Sequence, residues 1–376
     1  MRIVHVFRAP IGGLFRHVMD LAKEQSRLGH DVGIYCDSTF AGERNEKLLA
    51  ELIPHLNLGI ERIEMRRNPH WTDIAALRGM AAFCARKDAD VLHGHGSKGG
   101  VYARLGGVLR KTRVIRAYTP HGGSLNYRPG SKTHRAYMLI EKLLERGSDA
   151  FLFESQFIAE RYFEFVGQTD AETRIVFNGL YPEEFTPVKP RPDAADFLYI
   201  GEFRFAKGID TMINAMGRLR DDGKRPTLIL VGQGPDEAAL MAQVKALGIE
   251  QSVSFSRPMA AREAFSLART MIVPSRFESM PYVVIEAAGA TVPMISTDVG
   301  GIPEIFGAER HRLIPCDDVG ALAGAMHAAI AMTDAERLEP AQRLTHYIAE
   351  NFSVSKMACI VLQAYEAAQL SRNGAH

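Results

Sequence analysis

Short apolar segments alternate with helical patterns along most of the chain. An apolar segment at residues 3–7 leads through a glycine turn into a helical pattern at 14–28 and then an apolar segment at 31–36. The same order returns as a strand at 197–200, a turn at 201–208, a helix at 209–219 and a strand at 227–231. Parallel strands need such helical crossovers. The pattern predicts an α/β protein with two Rossmann-like, doubly wound domains.

Further apolar runs predict buried strands at residues 91–92, 114–117, 150–153, 174–177, 253–255, 271–273 and 293–296. A segment at 186–193 contains three prolines, which is typical of a linker. Residues 354–370 form an amphipathic helical pattern after a start signal at 351–353. We therefore expect domains at 1–186 and 187–353, followed by a C-terminal helix within 354–376.

Composition places the chain among soluble globular proteins. Its 376 residues are 46% hydrophobic and 24% charged, and the net charge of +1 argues against a dedicated nucleic-acid binder. The four cysteines are scattered without a C-x-x-C pair, which is typical of reduced thiols. No apolar run approaches a membrane span, and the N-terminal run is too short for a signal peptide. These features predict a cytoplasmic protein.

Charge is nevertheless uneven along the chain. Residues 1–186 carry 26 Lys/Arg against 22 Asp/Glu, a balance of +4, and the remainder carries 19 against 22, a balance of −3. Nine Lys/Arg and no acidic residue lie between Asp90 and Glu141. Two interpretations stay open: a solvated face, or a patch that faces the phosphates of a substrate or of an anionic membrane.

Glu278 and Glu286 lie eight positions apart, beyond the strand at 271–273. Pro281 suits the first position of a helix, so residues 282–290 are predicted to be helical. The helical rise puts the two carboxylates on the order of 12 Å apart. Glycosidase pairs lie about 5–9.5 Å apart. The glutamates are thus predicted to hold two ends of a long ligand, unless they are ordinary surface residues.

Arg204 and Lys207 lie three positions apart in the turn that enters the second domain's first helix. A guanidinium fork and an ammonium point charge can reach phosphate oxygens from two sides. The alternative is that both are ordinary surface cations.

Glycine turns follow several predicted strands. Gly232 and Gly234 mimic half of a dinucleotide fingerprint, but the third glycine is absent, so NAD is not expected. Gly12 and Gly13 precede the first helix, and residues 297–304 form another glycine loop. In open α/β sheets ligands bind where strands end, so these turns are predicted to bring backbone close to a ligand.

His121 follows the strand at 114–117 and is flanked by glycines, so a functional and a structural role both stay open. Asp88 and Asp90 match a metal-binding D-x-D pattern, and His93 and His95 follow. Alternate residues around a buried strand need not converge on one point, so no metal site is predicted there.

Several motifs occur together in a fixed order. They are the N-terminal Gly-Gly turn, HGHGSKGG at 93–100, TPHGG at 119–123, NGLYPEEFTP at 178–187, GEFRFAKGID at 201–210, VGQGP at 231–235 and the E-x7-E of Glu278 and Glu286. In this order the chain resembles the family 4 glycosyltransferases, which are retaining enzymes of the GT-B fold. The resemblance implies two Rossmann-like domains facing a central cleft.

The resemblance also implies roles for individual residues. Glu278 would hold hydroxyls of the donor sugar and Glu286 would accept from the ribose. Arg204 and Lys207 would neutralise the departing diphosphate, and His121 would lie beside the donor sugar and the leaving phosphate. The remaining donor-site residues are the glycines of the turns and the start of the E-x7-E helix, namely Gly12, Gly13, Gly232, Gly234, Ser279, Met280, Pro281 and Tyr282.

The implied reaction transfers a sugar, with retention, from a UDP- or GDP-sugar to a glycan or lipid-linked acceptor in bacterial surface polysaccharide synthesis. No metal cofactor and no nucleic-acid partner are expected. The basic first domain could touch the inner face of the membrane from the cytoplasm. The alternatives are a GT-B nucleotide-sugar epimerase, which would need an acid/base set, and a non-catalytic nucleotide-sugar-binding regulator, which would lack a site residue.

Overall fold

The computed structural model describes residues 1–39, 42–108 and 114–374. They form two compact units, each with a parallel sheet and helices. The first unit contains the chain up to Gly179 and the final segment from Val354, and the second runs from Leu180 to Ser353. The predicted α/β class with two doubly wound domains is confirmed.

The first unit is built on a seven-stranded parallel sheet. Its strand order is β3-β2-β1-β4-β5-β6-β7, so the chain winds outward from β1 in both directions. The strands are β1 (Arg2–Val6), β2 (Asp31–Asp37), β3 (Gly59–Ile63), β4 (Val91–His95), β5 (Ile115–Thr119), β6 (Ala150–Phe153) and β7 (Glu172–Ile175). The helices of this part are α1 (Gly12–Arg27), α2 (Glu43–Leu52), α3 (Thr72–Arg86), α4 (Gly96–Val108), α5 (Lys132–Glu145) and α6 (Gln156–Phe165).

The second unit has a five-stranded parallel sheet in the order β10-β9-β8-β11-β12. Its strands are β8 (Ala195–Glu202), β9 (Leu228–Gln233), β10 (Val253–Ser256), β11 (Ala268–Val273) and β12 (Met294–Ser296). Its helices are α7 (Ile209–Asp221), α8 (Glu237–Ala246), α9 (Ala261–Phe265), α10 (Tyr282–Gly289), α11 (Ile302–Phe306), α12 (Val319–Ala331) and α13 (Asp334–Asn351). In both sheets the strand order reverses direction at the first strand, which is where such folds bind ligands.

The last helix, α14 (Val354–Gly374), is part of the first unit. The Tyr365 hydroxyl lies 2.7 Å from His93 Nδ1 in the core of that unit. The Arg372 guanidinium donates to the Val114 carbonyl at 2.6 Å and lies 3.3 Å from the Asp149 carboxylate. These contacts attach the end of the chain to the sheet formed at its beginning.

The structure differs from the sequence-based expectation in two boundaries. The units divide at Gly179/Leu180 rather than at 186/187. The reason is that the Leu180 amide donates to the Phe352 carbonyl at 2.9 Å, within the second unit. Arg262 also donates to the carbonyls of Glu184 and Thr186. Helix α10 begins at Tyr282, as predicted, but ends at Gly289 rather than at 290, and Pro281 is its N-cap and not its first helical residue.

The basic stretch predicted between Asp90 and Glu141 is partly internal. Three of its cations form ion pairs within the first unit: Lys98 with Asp73 at 2.7 Å, Arg104 with Glu141 at 2.8 Å and Arg116 with Asp149 at 3.0 Å. Arg110, Lys111 and Arg113 lie outside the described residues. Three exposed cations therefore remain of the predicted patch, namely Arg128, Lys132 and Arg135.

Across the described ranges, no helix combines the length and the apolar character needed to cross a bilayer.

Candidate active site

The loop between β8 and α7 carries Arg204 and Lys207. Gly208 ends this loop with φ +64°, and a Cβ there would lie 2.0 Å from the Pro274 carbonyl oxygen. Only glycine suits that conformation and that close approach. The loop that follows β8 is therefore held against the end of β11, where the E-x7-E segment begins.

Lys207 and Glu278 are in direct contact. The Lys207 ammonium donates to Glu278 Oε1 at 2.6 Å, and the Ser275 hydroxyl donates to the same oxygen at 2.7 Å. The side chains of Lys207 and Glu278 are 21% and 9% exposed. In the described part of the chain no donor reaches Glu278 Oε2. One oxygen thus fixes the carboxylate while the other keeps its acceptor capacity for a ligand.

Arg276 connects these loops and was not singled out from the sequence. Its guanidinium donates to both carboxylate oxygens of Asp210 at 2.8 Å, to Asp317 at 2.5 Å and to the Phe205 carbonyl at 2.6 Å. It also lies over the Phe205 ring, 4.1 Å from the centroid. Arg276 therefore fixes the loop that carries Lys207 relative to the loop that carries Glu278.

The glycine loop after β12 packs on the E-x7-E loop through backbone. Gly300 has φ +59°, and a Cβ there would lie 1.8 Å from the Glu278 carbonyl oxygen. The Gly301 amide donates to the Ser279 carbonyl at 2.9 Å. The loops after β8, β11 and β12 thus form one connected rim at the carboxyl edge of the sheet.

The other predicted residues of this unit occupy the same edge. Arg204 is 52% exposed and lies 3.4 Å from Glu202. Met280 and Tyr282 are buried, while Ser279 and Glu286 are half-buried, Glu286 on the second turn of α10.

Gly232 and Gly234 have a packing role. A Cβ at Gly232 would lie 1.9 Å from the Gly201 carbonyl oxygen, and one at Gly234 would lie 2.2 Å from the Phe203 carbonyl oxygen. They let the end of β9 approach the turn after β8. Their contact with a donor stays a prediction.

In the first unit, Gly12 and Gly13 begin α1 and are exposed. Gly12 has φ +66°. The first amides of this helix have no partners within the helix, and the helix dipole favours an anion there.

His121 lies at the end of β5 in a left-handed conformation, with φ +50°. Its amide is 3.2 Å from Glu154 Oε2. Positive φ is uncommon for residues other than glycine, although His, like Asn and Asp, adopts it more often than most, and such conformations are concentrated at functional sites.

His121 belongs to a group of five histidines, the other four of them buried, that sequence reasoning missed. His5 is on β1, His17 on α1, and His93 and His95 on β4. His5 and His93 are register partners across the parallel β1–β4 pair. The signal in the sequence was the alternation of His93 and His95, which places both side chains on one face of a strand.

Hydrogen bonds connect these rings to each other and to their surroundings. His5 Nδ1 lies 2.9 Å from His95 Nε2, and His95 Nδ1 lies 3.2 Å from His121 Nε2. Burial lowers the pKa of His5 and of His17 to about 4. Burial also holds the pKa of His93, His95 and His121 well below its ordinary value. The five rings are therefore neutral at neutral pH.

Asp88 and Asp90 lie at the amino end of β4, the opposite end of the strand from His95. The Asp90 carboxylate accepts from the Arg2 amide at 2.7 Å. The D-x-D pattern thus forms a local backbone contact away from the histidine group.

Two family models match the chain. A glycosyl transferase 4-like domain matches residues 12–179, and a model described as glycosyl transferases group 1 matches residues 194–332. Each match lies within one of the two units. The chain belongs to the GT4-type glycosyltransferases, and its fold is GT-B.

Similar proteins extend this comparison over the whole chain. Glycogen synthase of Mycobacterium tuberculosis is 24% identical over 387 residues, covering 96% of this chain and 92% of that protein. Sucrose-phosphate synthase of Thermosynechococcus elongatus has a TM-score of 0.80 at 19% identity, covering 99% of this chain and 100% of that one. Anabaena HepE in complex with UDP has a TM-score of 0.78 at 17% identity, covering 98% and 100%. The structure of HepE in complex with UDP-glucose has a TM-score of 0.77 at the same 17% identity and the same coverage.

Proposed function

We propose that this glycosyltransferase moves a hexosyl group, with retention of configuration, from a nucleoside diphosphate sugar to a glycan or lipid-linked acceptor. The product would serve bacterial surface polysaccharide synthesis. The observation that carries the proposal is the contact between Lys207 and Glu278 at 2.6 Å. It puts a cation suited to a diphosphate beside a carboxylate suited to sugar hydroxyls.

In the proposed complex Glu278 Oε2 accepts from hydroxyls of the donor sugar. Lys207 and Arg204 neutralise the diphosphate as the glycosidic bond breaks, which is the main electrostatic demand of the step. Glu286 accepts from the ribose hydroxyls. Backbone amides near Ser279 and at the start of α10 face the anionic donor, since the free N–H groups at a helix N-terminus favour anions.

In this proposal Lys207 and Ser275 hold Glu278 through Oε1, and Oε2 accepts from hydroxyls of the donor sugar, so Glu278 is not assigned as a nucleophile. We therefore propose front-face attack by the acceptor hydroxyl. The bond from the anomeric carbon to the phosphate oxygen breaks, the bond to the acceptor oxygen forms on the same face, and the departing phosphate takes the acceptor's proton. His121, neutral and fixed at the end of β5, would lie beside the sugar and that phosphate.

A UDP-sugar is the first donor to test, because HepE is described in complex with UDP and with UDP-glucose. The chain would be screened against UDP-, GDP- and ADP-sugars by thermal unfolding, and each stabilising donor then incubated with oligosaccharide and lipid-linked acceptors. A donor at 100 times its Kd should stabilise the protein by about 2.7 kcal/mol. Failure of every donor to stabilise the chain would contradict the proposal.

We expect Glu286→Ala to weaken the binding of the free nucleoside diphosphate roughly tenfold or more, because hydrogen bonds to a charged group contribute about 1.5–3 kcal/mol. Isothermal calorimetry with UDP measures this. Glu250→Ala, at an exposed glutamate of the same unit, is the matched control. An unchanged affinity in Glu286→Ala would contradict the assignment of Glu286 to the ribose.

We propose that transfer needs no metal cofactor, since Lys207 and Arg204 supply the positive charge for the diphosphate. Activity should persist after dialysis against EDTA, as measured by product formation. A strict requirement for added Mg²⁺ or Mn²⁺ would contradict this part of the proposal.

We also propose that the first unit touches an anionic membrane surface through α5. Leu139 and Leu143 of this helix are 62% and 67% exposed. Exposed cations accompany them on α5 and at its ends, namely Lys132, Arg135, Lys142 and Arg146. Apolar side chains bordered by Lys and Arg are typical of helices that lie in the membrane interface.

Sedimentation with lipid vesicles tests this contact. The chain should bind vesicles that contain phosphatidylglycerol and not vesicles of phosphatidylcholine alone. Replacing Leu139 and Leu143 by Ser should reduce binding at least tenfold, because a buried leucine contributes about 1.5–3 kcal/mol. Leu370→Ser, at a leucine of α14 that is 72% exposed, is the control and should bind normally. Equal binding of the double variant would contradict the assignment to α5.

A further inference from the structure

Three histidines of this group have ring nitrogens that lie close together. His17 comes from α1, His95 from the end of β4, and His121 from the loop after β5. One nitrogen from each ring can be chosen so that all three lie within 4.8 Å of one another.

The tautomer of His95 is fixed by a chain of hydrogen bonds. Gln25 Oε1 can only accept, so His5 donates to it from Nε2 at 2.8 Å. A neutral His5 must then accept at Nδ1, which lies 2.9 Å from His95 Nε2. His95 therefore carries its proton on Nε2, and its Nδ1 presents a lone pair toward His121.

The tautomer of His17 is fixed in the same way. Asn178 Oδ1 accepts from His17 Nδ1 at 2.9 Å. The opposite nitrogen, Nε2, is buried and has no hydrogen-bond partner among the described residues. Its ring centroid lies 4.8 Å from that of His121 and 5.6 Å from that of His95. A bare lone pair is thus available on a ring that lies beside those of His95 and His121.

We propose that His17 Nε2, His95 Nδ1 and His121 Nε2 form a binding site for one divalent transition-metal ion of the zinc type. Zn–N bonds of about 2.0–2.1 Å in a tetrahedral site place two ligand nitrogens about 3.3 Å apart. His95 Nδ1 and His121 Nε2 lie 3.2 Å apart. These two atoms already have the spacing of neighbouring ligands, and His17 completes a three-histidine set.

The surroundings have the form that metal-bound histidines usually show. In such sites the nitrogen that does not bind metal donates to an oxygen or another acceptor, which fixes the ring. Here Asn178 accepts from His17, and His5 accepts from His95. Burial also keeps the imidazoles neutral, so protons do not compete with a metal at neutral pH. His121 is partly accessible, which gives an ion a route to the site.

A second group of nearby histidines, His5, His93 and His95, is less suited to an ion. His93 lies 2.8 Å from the Thr119 hydroxyl and 2.7 Å from the Tyr365 hydroxyl, one on each ring nitrogen. Both ring nitrogens of His5 also have partners. An ion there would have to break several of these bonds, whereas the proposed site breaks only the bond between His95 Nδ1 and His121 Nε2 and uses the bare nitrogen of His17.

Binding of Co²⁺ to the chelator-treated chain tests the site, because tetrahedral Co²⁺ has visible absorption bands that octahedral aqueous Co²⁺ lacks. We expect one Co²⁺ per chain with tetrahedral absorption, and displacement of it by Zn²⁺. Absence of the tetrahedral spectrum in the wild-type chain would overturn the proposal.

Variants locate the ion. His17→Gln should weaken Co²⁺ binding at least tenfold, and Asn178→Ala, which leaves all three ligands in place, roughly 10-fold to 100-fold. His346→Gln is the control, because His346 and Glu350 form an exposed i, i+4 pair that also suits an ion. It should bind normally. Loss of binding in His346→Gln, or full binding in a folded His17→Gln, would overturn the proposal.

X-ray absorption of the Zn²⁺-loaded wild-type chain gives a second measurement that does not depend on a variant folding. The fine structure counts the imidazoles bound to the ion. Three imidazoles support the site, and two or fewer overturn it.

Discussion

Replacing Glu278 by Gln is expected to reduce turnover by at least about 100-fold while leaving the affinity for free nucleoside diphosphate unchanged or slightly higher. Charged hydrogen bonds contribute about 1.5–3 kcal/mol each, and two sugar hydroxyls account for that loss. The affinity for the diphosphate should not fall, because Lys207 is still present and no longer shares its charge with the carboxylate that it now contacts at 2.6 Å. Initial rates and calorimetry with UDP separate the two effects.

Lys207→Met, in contrast to Glu278→Gln, should lower the affinity for UDP, because it removes the cation from the diphosphate. The Glu278→Gln/Lys207→Met double variant should lose less activity, expressed as free energy, than the sum of the losses in the two single variants, because the two side chains are in contact. Glu250→Gln, on an exposed surface of the same unit, should behave as the wild type. Full activity in Glu278→Gln would remove this residue from the proposed donor site.

Arg276→Ala is expected to be the most destabilising change at the rim. The Arg276 side chain is 8% exposed and pairs with two carboxylates, those of Asp210 and Asp317, which are 42% and 53% exposed. Removing one partner of a fully buried pair costs about 3–5 kcal/mol, and exposure of the carboxylates reduces this to roughly 2–3 kcal/mol. That loss corresponds to a fall in Tm of roughly 5–10 °C for a unit of this size.

The same change should also weaken UDP binding, since Arg276 fixes the Phe205 carbonyl in the loop that carries Lys207. Arg276→Lys keeps the positive charge and loses the guanidinium that bonds two oxygens at once, so Tm and UDP affinity should lie between those of the wild type and Arg276→Ala. Arg343→Ala is a matched control, because Arg343 is 51% exposed and pairs with Glu309 on the surface. Equal Tm values for Arg276→Ala and Arg343→Ala would contradict the bridging role.

Much of the fold follows from local patterns. The strand at 150–153 was predicted with the bounds that the structure shows, because all four residues are apolar and buried. Strand β3 was missed, since its sequence, GIERI, has two adjacent charged residues between its isoleucines. The strand forms the edge of the sheet. An edge strand is solvated on one side, so it lacks the continuous apolar run by which the others were found.

The candidate site was only partly predictable. Glu278 and Lys207 were found because motif spacing marks them, although 71 positions separate them. Arg276 was missed because its partners come from a turn, a helix start and a distant loop, which no local pattern connects. The histidine group was missed for the same reason, since its members come from four different elements or loops.

The last helix has a consequence for the order in which the protein can fold during synthesis. The second unit is one continuous segment, and its two ends meet through the hydrogen bond from Leu180 to Phe352. The first unit lacks α14, and with it the Tyr365 contact to His93, until the ribosome has passed the second unit and made residues 354–374. N-terminal domains generally fold first during translation. Here the unit that begins the chain is completed last, so the fully packed histidine group forms only after the whole of the second unit has been made.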